Sequence, residues 1–489
     1  MPNISFSHLD GRGKTIYTFG AIGLIISLML SYYGLHISPL VPVALFLLFI
    51  LIVRTDLYIL ITAFLVPLSI PISDLGGGIG MSLPTEPMIA LLMLFTVLKL
   101  LTGYSFDWKF IKHPLSLAIL FNLIWMLLAS FNSIIFSNSI KYWLIRFMYV
   151  LTFYFLVGHL FKNPQYITKL LWVLLISTFI LVLYTNIRHA GEGFVRTHSY
   201  FISQPFFMDH GIYAAAVAML FPAALFFIVN GFTLGLSRGL RIFMVFVFTF
   251  IVLGLIFSFT RAAWVSLVGT FAFFALMKLR VKFSYLVLGL FIGVLYVVGN
   301  WESLSFNLEG NKKGSDDDIE MHVKSISNIS TDPSNMERVN RWYCALEMFK
   351  DKPLFGFGPA TYTEVYGSYQ KTSDLTIIST FSGDLGNAHS EYFAALSETG
   401  LPGLISWLVI VGMSIFYGMQ VYYRSFALKD KKSGILAVIA LLGLLSYFIH
   451  AFLNNYSEFD KIAVIMWSFL AIITSLSIKT NQKLLENES

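Results

Sequence analysis

The chain is dominated by repeated runs of about 20 apolar residues, each long enough for an α-helix to cross the hydrocarbon core of a bilayer. Of its 489 residues, 57% are hydrophobic and only 12% are charged. Lipid offers no hydrogen bonds to backbone polar groups, so spans of this kind must be helical. The sequence therefore predicts an all-α polytopic membrane protein with about 12–14 transmembrane helices.

Lysine and arginine recur in alternate loops and near both termini. The positive-inside rule then places these loops and both termini in the cytoplasm, which also accounts for the net charge of +6 without nucleic-acid binding. This orientation predicts four regions. They are an N-terminal transmembrane bundle of about eleven spans over 1–300, a large periplasmic loop over 301–388, C-terminal transmembrane helices over 389–478, and a cytoplasmic tail over 479–489.

Several classes of chemistry are disfavoured. Cys344 is the only cysteine, which excludes an internal disulfide and disfavours a cysteine metal site. The sequence has no Walker A loop, dinucleotide fingerprint, zinc-protease helix or nucleophile elbow. The histidines lack metal-ligand spacing. We therefore predict no metal site and no soluble cofactor.

The periplasmic loop contains one segment with the pattern of an amphipathic helix, at about 335–350. Ser334 is a natural N-cap with Glu337 three residues on, which forms a capping box. An apolar stripe follows at helical spacing, formed by Val339, Trp342, Leu346 and Phe349.

On the neighbouring face of this helix, Arg338 and Arg341 are one turn apart, so both guanidinium groups are expected to project together. Two such forks suit a diphosphate, because each binds phosphate oxygens in bidentate fashion. The alternative is a solvated helix face on which these arginines pair with Glu337 or Glu347.

His389 is expected to begin a transmembrane helix, with Asn387 as its N-cap. The positive end of a helix dipole disfavours imidazolium, so a neutral histidine there is a competent general base. Glu391 and Glu398 lie roughly on one helix face and are candidates to orient His389 or to act as the base. The alternative is a histidine that only bonds a loop.

Further cations are predicted on the same, outer side. Arg261 lies between two apolar spans with almost no loop, where a charge is costly unless it is paired or used. Arg146 lies inside a span, nearer its outer end. It is either functional, as a further possible vestibule residue, or paired with a carboxylate or a carbonyl. A polar outer loop forms a possible electropositive vestibule or is an ordinary loop; its members are Arg188, Arg196 and His210.

The segments SFTRAAWVSL, ERVNRWYCALEMFKDKPLFGFGPATY and AHSEYFAALSETGLPGL resemble the O-antigen ligase and O-antigen polymerase family of bacterial membrane glycosyltransferases. The resemblance implies a GT-C-like fold with a periplasmic loop over the active site. It implies a glycan donor carried on undecaprenyl diphosphate and no essential metal. Carried over by motif, Arg261, Arg338 and Arg341 bind the diphosphate, and His389 helps to activate the acceptor.

The function implied is transfer of the glycan to an acceptor hydroxyl, of lipid A-core or similar, on the periplasmic side of the bacterial inner membrane. A polysaccharide polymerase of the same family is the nearest alternative. A glycan transporter or flippase is a more distant one, because transporters place unusual charges near the bilayer midplane and here they cluster at the outer ends of the spans. A non-catalytic partner in an envelope assembly is a third.

Overall fold

The computed structural model describes residues 11–32, 40–72, 80–300, 333–371, 379 and 386–488. Most of these residues are helical, and the strands among them are β1 (Ile70–Ile72) and β2 (Met81–Leu83), which pair antiparallel. Nine helices in this part of the chain are long and apolar enough to cross a membrane, and four shorter apolar helices accompany them. The prediction of an all-α polytopic membrane protein is confirmed.

The chain forms two compact units, residues 1–64 and 65–489. The first contains α1 (Gly11–Tyr32), α2 (Leu40–Val53) and all but the last residue of α3 (Thr55–Leu65). The longer helices of the second unit are α4 (Thr85–Leu101), α5 (Pro114–Phe131), α6 (Phe136–Leu160), α7 (Pro164–Gly191), α8 (His210–Val229), α9 (Arg238–Ile256), α10 (Arg261–Lys278), α11 (Phe283–Gly299), α12 (Pro333–Asp351), α13 (Glu391–Ala427), α14 (Lys431–His450) and α15 (Asp460–Glu488).

Local sequence chemistry sets the starts of several spans. Pro114 and Pro164 occupy the first turns of α5 and α7, where the missing N–H costs no hydrogen bond. Asp209 caps α8, because its carboxylate accepts from the backbone N–H of Gly211 at 2.7 Å. This cap fixes the start of α8, which matters for the site described below.

Helices α14 and α15 form the centre of the second unit. In each of these two helices, 94% of the apolar segment is buried by protein, whereas only 28% is buried in α9 and in α10. Helix α14 packs against α8, α10, α13 and α15. The loop between these two central helices, residues 451–459, is therefore anchored on both sides by tightly packed helices.

Helix α13 bends where the sequence predicts a kink. Gly400 has non-helical backbone angles (φ 71°, ψ −172°), and Pro402 follows inside the helix. A Cβ at Gly400 would lie 2.1 Å from the carbonyl oxygen of Leu354, so only glycine allows this approach. The bend thus brings the residues after α12 against the backbone of α13.

Helix α12 packs against α13 through the predicted apolar stripe, of which Trp342 stacks on Phe393 of α13 with ring centroids 5.2 Å apart, and through a second, more deeply buried face. The capping box is wrong, because the helix begins before Ser334 and the Glu337 carboxylate instead pairs with Arg341. The four residues of the predicted apolar stripe are only half-buried. The fully buried positions belong to the neighbouring face: Cys344, Ala345 and Met348.

Helix α15 continues beyond the boundary predicted at residue 478. Asp430 accepts ion pairs from Lys479 at 3.2 Å and from Lys483 at 2.6 Å. These two lysines are one turn apart on α15, so the pairing favours continued helix. Residues 479–488 are therefore helical and continue α15.

Candidate active site at one end of the helix bundle

Helices α8, α10 and α13 begin at the same end of the bundle. The hydroxyl of Thr260, just before α10, donates to the carbonyl of His210 in α8 at 3.5 Å. The hydroxyl of Tyr456 donates to Asp209 at 3.0 Å, and its N–H donates to Glu391 of α13 at 2.9 Å. Helix N-termini carry partial positive charge. This end, which we call the mouth, therefore favours an anion.

Two arginines from distant parts of the chain lie at the mouth. Arg261 is the first residue of α10 and is half-exposed. Arg338 lies near the start of α12, is half-buried, and donates through Nε to the carbonyl of Leu453 at 3.2 Å. The structure thus places both predicted cations at the end where the three helices begin, as a bound phosphate group requires.

Arg341 has a different environment from Arg338, although the two are one turn apart. Its side chain is only 5% exposed and its Nε donates to Glu337 at 2.8 Å. It also donates to the carbonyl of Asn387 at 3.0 Å and lies over the ring of Tyr366. Arg341 is therefore held in a buried ion pair and joins α12 to the segment before His389.

Replacing Arg341 by alanine is expected to lower the free energy of unfolding by about 3 kcal/mol, because the Glu337 carboxylate would be left buried without its partner. Thermal unfolding in lipid nanodiscs measures this change. The double variant Glu337→Gln with Arg341→Gln removes both charges and is expected to recover most of the loss. An Arg341→Ala protein of unchanged stability that no longer transfers glycan would instead identify Arg341 as a ligand of the substrate.

His389 lies before its helix and not inside it, so the prediction that Asn387 caps the helix is wrong. The helix begins at Glu391, with Ser390 as the N-cap. His389 has a left-handed backbone (φ 46°), which side chains seldom adopt. The Asn387 carboxamide stabilises this turn by accepting from the His389 N–H at 2.9 Å. Within the described part of the chain, the imidazole itself makes no hydrogen bond.

Burial, together with the positive charges of Arg338 and Arg341, lowers the pKa of His389 to about 3; Asp209 opposes this shift weakly. The imidazole is therefore neutral at physiological pH, as the sequence predicts, although burial is the leading cause and not the helix dipole. A neutral ring with a half-exposed edge is able to accept a proton from a bound hydroxyl.

Asp209 places a carboxylate near these cations, with His210 beside it. His210 Nδ1 lies 3.0 Å from Asp209 Oδ1, and the ring of His210 packs edge-on against Tyr200. Burial alone would raise the pKa of Asp209, but hydrogen bonds from His210, Gly211 and Tyr456 lower it to about 2. His210 is thus oriented by a carboxylate beside the mouth.

The Glu391 carboxylate accepts several hydrogen bonds from the 451–459 loop and one from α14. Its carboxylate accepts from the N–H groups of Tyr456 and Ser457 at 2.9 and 2.7 Å, and from the hydroxyls of Tyr447 and Ser457 at 2.7 and 2.9 Å. The carboxamide nitrogen of Asn455 also donates to it, at 2.8 and 2.9 Å. Glu391 is 5% exposed. Among the described residues it makes no bond to His389, so it acts as a clamp for the loop.

Glu398 holds the segment that follows α12. Its carboxylate accepts from the N–H of Tyr362 at 3.0 Å. Pro402 has no N–H to offer the Glu398 carbonyl inside the helix, and this carbonyl accepts from Gly358 at 2.9 Å instead. Like Glu391, Glu398 has no bond to His389 in the described structure. Both predicted carboxylates therefore stabilise the segments around the site by accepting hydrogen bonds from their backbone.

The 451–459 loop was missed by the sequence analysis. It supplies the Leu453 carbonyl to Arg338, the Asn455 carbonyl to the Asn387 side chain at 3.4 Å, and the Tyr456 hydroxyl to Asp209. Backbone groups carry most of these contacts, so no side-chain motif marks them. The signal that was available is the polar run between two strongly apolar spans.

Arg146 pairs with Glu458, which lies near the end of that loop. Its Nε donates to Glu458 at 2.7 Å, and its terminal nitrogen also contacts Ser457 at 3.0 Å. Of the alternatives left open by the sequence, pairing with a carboxylate is the one seen. Arg146 lies in the wall of a small cavity below the mouth, which Glu391 and Glu398 also line. It is not part of an exposed vestibule.

The other predicted vestibule residues lie in the 188–210 segment. Arg188 is exposed and donates to the carbonyls of Ile202 and Gln204, so it stabilises its own loop. Arg196 is half-exposed in the one-turn helix Arg196–Ser199. Of the three vestibule residues in this segment, His210 is the one that directly contacts a helix start at the mouth.

No group of three or more histidine, cysteine, aspartate or glutamate residues in the described parts of the chain has the arrangement of a metal site.

Residues 245–408 match the model of a protein family described as O-antigen ligase. The matched region contains Arg261, Arg338, Arg341 and His389. It ends before the 451–459 loop. No curated protein matches the chain.

Proposed function

Because residues 245–408 match the family described as O-antigen ligase, we propose that this membrane protein is a glycosyltransferase that moves a glycan from undecaprenyl diphosphate to an acceptor hydroxyl. The observation that carries the proposal is the mouth, where three helix starts and two arginines lie at the same end of the bundle as a neutral histidine. Lipid A-core or a similar glycan is the proposed acceptor. The proposed location is the bacterial inner membrane, with cytoplasmic termini and the mouth on the periplasmic side.

The donor diphosphate is proposed to bind at Arg338 and Arg261. Guanidinium forks match phosphate oxygens in geometry and remain charged at any physiological pH. The starts of α8, α10 and α13 add partial positive charge at the same place. Negative charge develops on the leaving undecaprenyl diphosphate as the sugar–oxygen bond breaks, and groups that are already oriented stabilise it without reorganisation.

His389 is proposed to accept the acceptor proton. The acceptor oxygen attacks the anomeric carbon, the bond from that carbon to the diphosphate oxygen breaks, and the hydroxyl proton passes to an imidazole nitrogen. Glu391 and Glu398 each hold backbone N–H groups, which leaves His389 as the base. The charge of a bound diphosphate offsets that of Arg338 and thereby raises the proton affinity of the imidazole.

The pKa of His389 predicts unusual behaviour towards diethyl pyrocarbonate, which modifies neutral imidazole only. Since the pKa is lowered to about 3, the neutral form persists as the pH falls from 7.5 to 5.5. The modification rate of His389, followed by mass spectrometry in the absence of donor, is expected to stay nearly flat. Acetylhistidine, with a pKa of about 6.5, should slow about tenfold over the same range.

The variant Arg338→Gln removes one of the charges that lower this pKa. We expect the modification rate of its His389 to begin falling at a higher pH than in the wild type. A wild-type rate that follows acetylhistidine would show that the imidazole titrates normally, and the proposed neutral base would lose its basis.

The proposed reaction is tested with purified protein in lipid nanodiscs and undecaprenyl-diphosphate-linked glycan, in the presence of EDTA. One reaction contains lipid A-core and the other has no added acceptor. Glycan attached to lipid A-core is the expected product. Longer lipid-linked chains in the second reaction would identify a polymerase. No transfer in either reaction, with restoration by added Mg²⁺ or Mn²⁺, would contradict the proposed metal independence.

A further inference from the structure

A groove lies at the end of the bundle opposite to the mouth. Helices α10 and α13 begin at the mouth and span the bundle, so their last residues, Lys278 and Ala427, lie at the far end. The groove between these ends and the start of α11 has a volume of about 920 Å³. None of the residues placed at the mouth lines it.

The rim of this groove is cationic. Lys278, Arg280 and Lys282 line it and are exposed. Within the described residues, neither Arg280 nor Lys282 forms an ion pair or a side-chain hydrogen bond, while Lys278 lies over aromatic rings. Asp430 is a carboxylate of the connection at the end of α13, and it is already paired with two lysines of α15. The rim thus carries three positive charges without a carboxylate partner in the described structure.

The wall of the groove is aromatic. Phe283 of α11 contacts Phe416 of α13, with ring centroids 5.6 Å apart. Phe416 and Phe426 are 40% and 43% exposed. The Tyr423 hydroxyl donates to the carbonyl of Met277 at 2.7 Å, which joins α13 to α10 at the base of the groove. A cationic rim above an aromatic wall matches a molecule with an anionic head and an apolar chain.

The length of α10 indicates that the groove lies at the level of the lipid headgroups. Helix α10 has 18 residues, about 27 Å of helix, which is close to the thickness of the hydrocarbon core. With Arg261 at one interface of the bilayer, a helix of this length would bring Lys278 to the other. Basic residues at this depth are attracted to anionic lipids, by about fivefold in affinity for each charge.

We propose that this groove binds one anionic phospholipid in the leaflet opposite to the mouth. The lipid phosphate contacts Arg280 and Lys282, with Lys278 beside it. An acyl chain lies along Phe283 and Phe416. This proposal does not depend on the proposed glycosyl transfer, because the residues that line the groove lie at the ends of α10 and α13 that are opposite to the mouth.

The test is native mass spectrometry of the purified protein titrated with phosphatidylglycerol or phosphatidylcholine. Wild-type protein is expected to hold one phosphatidylglycerol at least tenfold more tightly than phosphatidylcholine. The variant Lys278→Gln, Arg280→Gln, Lys282→Gln is expected to weaken phosphatidylglycerol binding by about 10- to 100-fold. The control Lys429→Gln, Lys431→Gln, Lys432→Gln removes three charges at the same end outside the groove and should bind as the wild type does.

Equal losses in the two triple variants would overturn the proposal, because they would show diffuse attraction to a basic surface. Competition by inorganic phosphate alone, or tighter binding of undecaprenyl phosphate than of phosphatidylglycerol, would also overturn it. A photoactivatable phosphatidylglycerol with wild-type protein provides a measurement that needs no variant. Crosslinks are expected within 278–283 and 416–426, and crosslinks spread over the bundle would contradict a single site.

Discussion

Replacing Arg338 by alanine is expected to reduce the rate of glycan transfer by about 100- to 1,000-fold, the usual effect of removing one oriented group that stabilises a developing negative charge. Arg338 borders the mouth and is half-buried. Its Nε donates to the carbonyl of Leu453 in the 451–459 loop. Thermal unfolding in lipid nanodiscs is measured beside the transfer rate, so that the loss of transfer is compared with any loss of stability.

Two variants separate charge from geometry. Arg338→Lys keeps the charge but loses the fork, so its rate should lie between those of the wild type and Arg338→Ala. Lys350→Ala removes a charge from the exposed end of the same helix, where Lys350 pairs with Glu347, and should transfer normally. Full activity in Arg338→Ala, with wild-type expression, would remove this arginine from the diphosphate site.

The membrane fold was predictable because its cause is local. Each apolar run must form a helix in lipid whatever surrounds it, and the kink at Gly400 follows from a glycine and a proline within three residues. What the kink provides was not predictable. The carbonyls of Ser397 and Glu398 accept from Phe357 and Gly358, a contact between segments about 40 residues apart that no local pattern indicates.

The sequence predicted which charged residues belong to the candidate site, but not how they are buried or which groups they contact. Arg338 and Arg341 are equivalent by spacing, yet burial separates them, because Glu337 lies one turn before Arg341 and Asn387 closes over it. The 451–459 loop organises the mouth largely through N–H groups and carbonyls, which every residue has. A sequence therefore cannot distinguish it from an ordinary connection between two helices.

Glu391 provides the sharpest test of this geometry, because its predicted role and its observed contacts imply opposite results. The variant Glu391→Gln is expected to lower the free energy of unfolding by about 2 kcal/mol, since a neutral amide is a weaker acceptor than a carboxylate and its nitrogen would replace Oε2, which accepts from the buried Ser457 hydroxyl. The glutamine oxygen would take the place of Oε1 and continue to accept from the N–H groups of Tyr456 and Ser457. Thermal unfolding in nanodiscs, with Glu347→Gln as an exposed glutamate control, measures this loss.

If Glu391 were the general base, Glu391→Gln would retain the stability of the wild type and lose transfer, because an amide cannot accept the proton. If Glu391 instead holds the 451–459 loop in place, stability falls first and transfer falls as a consequence. The 451–459 loop should loosen first, which is visible as faster hydrogen exchange at 451–459, and transfer should then fall because Arg338 and Asn387 lose the carbonyls that orient them. Faster exchange confined to this loop, with α12 still protected, is the result that distinguishes a positioning residue from a catalytic one.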